Sequence, residues 1–408
     1  MPIPPTPSPS PSDLTPSVWR SRLAGWLEAG VLPIGLLILL TGMLWAEERP
    51  EYHTLFYALV ALPAFVLLLL KKDARPLLLS SPIFLSYLVF AAWVMLSIAW
   101  SDTDKSLGSL LKRPLYIAML FAAVMQVGLA DAQRTRKLLK LAVAIACGIG
   151  AVSLILFLTT TNEARLVGYR ALSNPILTAH VFGFFLALCI AAWIAEGNQH
   201  RPWKILAMFV LGAVILATAS RGGMAAAGAA LLWSALLGAN RRAAIACLIA
   251  VLACIAVLVA EPEIFTQRGL SLRPQLWAET LREVSLRPWL GYGYDAYIML
   301  EIEGDTEKYP NPHSIPMAVL RQQGIIGLLL WIGLYGIALI SSWRARRDPV
   351  VLICSAAVVS GLVAGLTEGI SYLSRPKEHW FLIWIPLSLL TAALALRNKT
   401  MDKTHEST

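Results

Sequence analysis

Residues 245–260, IACLIAVLACIAVLVA, contain no charged side chain, and the chain then changes character over 261–313, where the run SLRPQLWAETLREVSLRPWLGYGY (271–294) lies among arginines and acids. From Ile315 onward the sequence is apolar again. An uncharged run of this kind is either a membrane span or a buried core helix, and the choice between them decides the fold. The remainder of the chain decides it for the membrane. Over 408 residues, 57% are hydrophobic and 14% are charged, against roughly a quarter charged in soluble domains. The mean hydropathy is +0.65. An ordinary soluble protein is excluded.

The sequence predicts an all-α polytopic membrane protein with twelve spans, near 27–45, 53–70, 82–100, 114–130, 138–158, 176–195, 205–219, 224–238, 245–260, 315–341, 350–370 and 379–396. A single membrane domain then covers 27–396. The proline- and serine-rich start, MPIPPTPSPSPSDLTP, lacks the basic and apolar regions of a signal peptide. With so little to bury, residues 1–26 are expected to be a disordered tail, and 397–408 a short polar one. The five cysteines (Cys147, Cys189, Cys247, Cys254, Cys354) all fall in apolar spans, where cysteine behaves as a small hydrophobe.

Basic residues fix the orientation. Arg20 and Arg22, the KKDAR run at 71–75, Arg134 to Lys140, Arg201 and Lys204, Arg241 and Arg242, Arg344 to Arg347, and Arg397 to Lys403 crowd into short alternate connections. That pattern marks cytoplasmic loops. Both termini are therefore expected in the cytoplasm, with the 261–314 loop on the other side. Basic loops facing anionic lipid account for much of the net charge of +9, and no nucleic-acid partner is needed.

Three elements on the extracytoplasmic face could carry chemistry. Ser220-Arg221-Gly222-Gly223 joins two spans too short for the ~30 Å hydrocarbon core, so Arg221 is expected below the membrane surface, where a charge is costly and usually functional. The competing reading is a tight hairpin whose arginine snorkels to the headgroups. In the second element, Leu276, Trp277, Leu281 and Val284 recur at helical spacing and predict an amphipathic surface helix over 274–286. Arg273 precedes it, where exposed N–H groups favour an anion. Pro288 ends it, and Gly291-Tyr292-Gly293 reads as a flexible turn. The bland alternative is an interfacial helix whose arginines, Arg282 and Arg287 among them, meet lipid phosphates. The third element is Pro310-Asn311-Pro312-His313-Ser314-Ile315-Pro316, whose prolines restrict the backbone at the mouth of a span. Arg321 lies two turns inside that span, and Gly324 and Gly327 allow close helix contact. A lone histidine is usually structural, and it is the company of arginines that makes His313 a candidate. Arg170, in Gly168-Tyr169-Arg170, is a further anion contact, as is Arg268. Asp102-Thr103-Asp104 has the spacing of a metal-binding pair but reads more simply as a solvated turn, and no P-loop, GxSxG or HExxH pattern occurs.

In their order and sidedness these residues resemble the O-antigen ligase and polymerase superfamily of bacterial inner-membrane glycosyltransferases. The resemblance rests on Ser220-Arg221-Gly222, Arg273 with Trp277, Pro288-Trp289-Leu290-Gly291-Tyr292-Gly293, His313 and Gly324-Ile325-Ile326-Gly327, and covers roughly 165–335. The family commonly has His-Asn where this chain has His313-Ser314, and an acidic residue near Gln323. The moderate loop and the lack of a periplasmic domain look most like the ligase branch. The resemblance implies a glycan donor on undecaprenyl pyrophosphate, a lipid A–core acceptor, a periplasmic site in the inner membrane and no cofactor. His313 would be the base. Arg221 and Arg273, with Arg170, Arg268, Arg321 and Tyr292, would hold substrate, arginine forks replacing a divalent metal at the pyrophosphate. A polysaccharide polymerase and a protein O-oligosaccharyltransferase are the neighbouring readings. An anionic-lipid transporter is the reading from another class, disfavoured because charge lies at one face and no repeat is visible.

Overall fold

The computed structural model describes residues 16–160, 163–196, 202–260, 272–302 and 305–406. It is almost wholly helical. Each apolar segment of the sequence coincides with a helix: α1 (Val18–Leu44), α2 (Arg49–Leu70), α3 (Pro82–Trp100), α4 (Leu107–Ala130), α5 (Ala132–Thr160), α6 (Pro175–Ala195), α7 (Pro202–Ala217), α8 (Arg221–Gly238) and α9 (Arg241–Ala260). After the polar helix α10 (Arg273–Leu286) come α11 (Ile315–Arg344), α12 (Pro349–Leu366) and α13 (Glu378–Met401). Among the described residues, nine of these helices, α1–α6 and α11–α13, are long and apolar enough to cross a membrane. The twelve expected spans are therefore twelve helices, nine of which meet the requirement for crossing. Among the described residues the first helix begins at Pro16 and the last ends at Glu406.

Why these helices pack is legible in their small residues. Helices α6, α8 and α12 meet through Ala187, Ala191, Ala230 and Ala356, whose short side chains let backbones approach where lipid offers no hydrophobic drive for association. Helices α3, α11 and α13 instead meet through rings. Trp331 lies 5.3 Å from Phe90 and 6.1 Å from Trp384, and Trp384 lies 5.1 Å from Tyr87, edge to face.

The surface helix forms as expected, one residue earlier, with Pro274 in its first turn. Leu276, Thr280 and Val284 are buried while Leu281 is exposed, so its inner stripe is narrower than the apolar pattern suggested. Beneath it Leu276, Ile298 and Leu300 form a small separate core, closed by a two-residue antiparallel ladder pairing Leu300 with Tyr309.

The turn after α10 is not flexible. Helix α11 is broken at Gly324 (φ 66°, ψ −170°), and residues 288–293 fill the break. Ile325 N–H donates to Pro288 at 2.8 Å instead of to Arg321, and the released carbonyls of Arg321 and Gln322 accept from Tyr292 N–H (3.0 Å) and Gly293 N–H (2.8 Å). Non-helical backbone within a span is tolerated only when its polar groups are paired in this way. Such contact demands glycine, because a Cβ at Gly324 would stand 2.1 Å from the Trp289 carbonyl and one at Gly291 2.6 Å from that of Arg321.

Gly324→Ala is therefore expected to destabilise the detergent-solubilised protein by about 2 kcal/mol or more, from clash and left-handed strain together. Gly336→Ala in the same helix, where nothing lies within 4 Å, should leave the melting temperature within about 1 °C of the parent. Equal melting temperatures for the two variants would contradict the stitched break.

Candidate active site

A cavity of about 310 Å³ opens where the connections α5–α6, α7–α8 and α12–α13 meet the start of α10. Arg165, His180, Ser220, Arg221, Arg273 and Glu368 are among its lining residues. Larger cavities of about 560 and 680 Å³ lie at the opposite ends of the helices, without this combination of arginines, imidazole and carboxylate. Chemistry, not volume, selects the smaller one.

The α7–α8 connection is shaped to place Arg221. Helices of 16 and 18 residues are about 24 and 27 Å long at 1.5 Å per residue, shorter than the ~30 Å core. Ala219 takes a left-handed φ of 47°, and the Ser220 hydroxyl accepts from Gly223 N–H at 3.2 Å, capping α8 so that Arg221 is its first residue. Glycine at 222 and 223 brings this helix end against its neighbours: a Cβ there would stand 2.9 Å from the Thr367 hydroxyl and 2.8 Å from Ala179 Cβ. The preceding strand of chain is tied to the same turn, Leu166 N–H donating to Ala217 (2.9 Å) and Arg165 Nε to Thr218 (2.8 Å).

His313 stands at the mouth of α11, in a left-handed conformation (φ 48°) that a histidine adopts only when its surroundings impose it. Asn311 Oδ1 accepts from His313 N–H at 2.8 Å, and Trp277 Nε1 donates to the Pro312 carbonyl at 3.0 Å. The amphipathic helix thus reaches across to hold the histidine loop. Ser314 caps α11, with Pro316 in its first turn.

The central residue is one that the sequence reading missed. Glu368, just beyond α12, lies 3.2 Å from His313 Nδ1 through one carboxylate oxygen and 3.2 Å from Arg273 Nη2 through the other. Its side chain is 13% exposed. Burial alone would raise its pKa, but the hydrogen bond and charge of His313, with His180 and Arg273, outweigh that and hold it down to about 2. The expected span 350–370 had absorbed Glu368 into its apolar end. A carboxylate in the closing turn of an otherwise uncharged helix was the signal available.

The other expected residues divide. Arg221 and Arg273 line the cavity, and His313 joins it through Glu368. Arg170 is exposed, stacked 5.8 Å over the Tyr169 ring, and Arg165 occupies the cavity wall instead. Arg321 is buried away from the cavity, paired with Glu283, donating to the Tyr297 carbonyl at 3.1 Å and lying 4.6 Å over the Tyr292 ring. Tyr292 donates to the Glu283 carbonyl at 3.1 Å. Those two lock α10 onto α11. Arg268 lies outside the described residues. Asp102 offers its backbone carbonyl to Tyr297 N–H at 3.0 Å, and among the described residues no cluster of three His, Cys, Asp or Glu is placed to hold a metal ion.

Helices gathered around a one-sided pocket of arginines, histidine and carboxylate define a multi-pass membrane protein. Residues 206–332 match the O-antigen ligase family model. The chain is also 43% identical over 362 residues to an O-antigen ligase of Pseudomonas aeruginosa (strain PAO1), covering 89% of this chain and 90% of that one. This chain belongs to the O-antigen ligase family, a family of glycosyl-transferring enzymes.

Glu368 links the site to stability. Its pKa is depressed in the fold, so its contribution is complete above the ordinary carboxylate value near 4.5 and is lost as pH falls toward about 2. Glu368→Gln should lower the melting temperature at pH 7 and flatten its pH dependence across that window. A variant that keeps the parent's acid profile would show that the carboxylate is not held by these partners.

Proposed function

We propose that this protein is an O-antigen ligase that moves a glycan from undecaprenyl pyrophosphate to lipid A–core at the periplasmic face of the bacterial inner membrane. The observation that carries the reading is the bridge made by Glu368 between His313 and Arg273, beside Arg221. One carboxylate orients a base and an anion-binding fork together, as a transfer from a pyrophosphate requires.

In this reading Arg221 and Arg273, with Arg165 beside them, bind the donor pyrophosphate. Transfer breaks the bond from the anomeric carbon to a pyrophosphate oxygen, and the electron pair stays on that oxygen. Preorganised cations at a developing anion lower the barrier, and a guanidinium offers phosphate two parallel donors and a permanent charge without a metal. Glu368 accepts from His313 Nδ1–H, which fixes the tautomer with Nε2 as the acceptor. Nε2 takes the proton of the acceptor hydroxyl as its oxygen bonds to the anomeric carbon. Glu368 then balances the imidazolium. A single displacement inverts the anomeric configuration.

His313→Ala is expected to cut transfer by about 10²- to 10⁴-fold while donor binding persists. Arg221→Lys and Arg273→Lys should each lose roughly tenfold or more despite the conserved charge. In a deletion strain, lipopolysaccharide gels should show bare core with lipid-linked polymer accumulating. Core bearing one repeat unit would point to a polymerase, and near-native transfer by folded His313→Ala would remove the base.

The alternation of basic connections supports an orientation with both termini cytoplasmic. In a cysteine-free background, cysteine at Glu307 should react with an impermeant thiol reagent in spheroplasts and cysteine at Lys399 should not. Equal labelling at both positions would overturn it.

A further inference from the structure

Helix α6 carries a buried histidine that the mechanism above does not use. His180 lies a turn above Ile176 on the helix that begins at Pro175, and both residues line the cavity shared by Arg221, Arg273 and Glu368. It is 3% exposed. Neither Nδ1 nor Nε2 has a hydrogen-bond partner among the described residues. The residues that follow it in α6 (Val181, Phe182, Gly183, Phe184) are apolar and buried. A second buried histidine, His379, likewise has neither ring nitrogen hydrogen-bonded among the described residues, but its Nδ1 lies 3.3 Å from the Glu378 carboxylate and it does not line the cavity. For His180, the cavity is where a partner can lie.

A buried imidazole without a partner pays its desolvation and recovers nothing in the unliganded protein. In an apolar span the substitution of leucine relieves that cost, so the histidine is explained by what enters the cavity. The charged groups that line the cavity with His180 are Arg165, Arg221 and Arg273, which call for an anion, and Glu368, whose oxygens are taken by His313 and Arg273. A neutral imidazole N–H can complete such an anion's coordination from α6, where a further guanidinium would not fit into the apolar helix without its own counter-ion.

We propose that His180 is a substrate-binding residue, donating a hydrogen bond from α6 to a pyrophosphate oxygen of the lipid-linked donor. This rests on the reading of the cavity as the donor pyrophosphate site. His180 takes no part in proton transfer, which belongs to His313. Its contribution is to donor affinity, and it makes the unliganded protein less stable than an apolar residue would.

The two effects have opposite signs, which separates binding from packing. The experiment uses the purified full-length protein in detergent, with undecaprenyl pyrophosphate as probe, and reads the unliganded melting temperature and the shift on adding probe. His180→Leu should raise the unliganded melting temperature by about 1–3 °C and weaken probe binding roughly tenfold. His180→Gln, which keeps an N–H donor, should bind within about threefold of the parent. Should the leucine variant fail to fold, His180→Met, unbranched and adaptable, makes the same comparison. Parental affinity in the leucine or methionine variant, with binding lost in Arg221→Gln, overturns the role of His180 and leaves the donor site standing. Absence of any probe-induced shift in the parent protein overturns the donor-site reading itself. A lower unliganded melting temperature with unchanged affinity would make His180 a packing residue only.

Discussion

The break in α11 at Gly324 is the constraint on which the rest of the structure depends. A continuous helix would bond Ile325 to Arg321 and leave the loop after α10 attached to α11 by side chains alone. The exchange of those bonds with Pro288, Tyr292 and Gly293 makes extramembrane chain part of the span. The buried Arg321–Glu283 pair and the Tyr292 ring beneath it add a second tie. Breaking such a pair by removing one partner leaves a buried charge uncompensated, which suits it to fixing geometry. Helix α10, which carries Arg273, and helix α11, which follows His313, are thereby set relative to each other before any substrate is present.

That fixed relation is what gives Glu368 its reach. One short turn after α12 can touch a residue at the start of α10 and another at the mouth of α11 only if both are held still. Trp277 shows the same economy, packing as part of the surface helix while its indole N–H secures the Pro312 carbonyl. The positive φ of His313 is sustained by these contacts and by Asn311, so its ring presents Nδ1 to Glu368 without searching rotamers. In the proposed mechanism, preorganisation of this kind spares the transition state the cost of orienting the base.

Much of this was legible in the sequence. The apolar segments all became helices because hydropathy and length are properties of the segment itself, and the prolines around His313 marked the mouth of α11. Arg221, Arg273 and His313 were legible because a charge beside a membrane span stands out against its neighbours. Glu368 was overlooked: its one local signal, a carboxylate at the end of an otherwise uncharged span, does not say which residues it will meet. Arg321 and Tyr292 stood out for the same reason as Arg221, yet their partners come from the far end of the loop, and no local pattern separates a structural ion pair from a binding site. Gly291 was read as part of a flexible turn and Gly324 as a place for close helix contact, whereas both lie where the loop after α10 enters the break in α11. Glycine signals that something comes close, and only the fold says what.

The brevity of α7 and α8 has its own consequence. Side by side with α5, whose 29 residues extend about 44 Å, α7 imposes a hydrophobic mismatch on one flank of the protein. Lipid meeting that flank must thin by several ångströms or leave polar headgroups dipping toward the bilayer centre. Either response lowers the local water–lipid boundary toward Arg221. A phosphate-bearing lipid diffusing in that leaflet would then meet the cavity at its own headgroup depth, arriving by lateral movement rather than by being lifted out of the membrane.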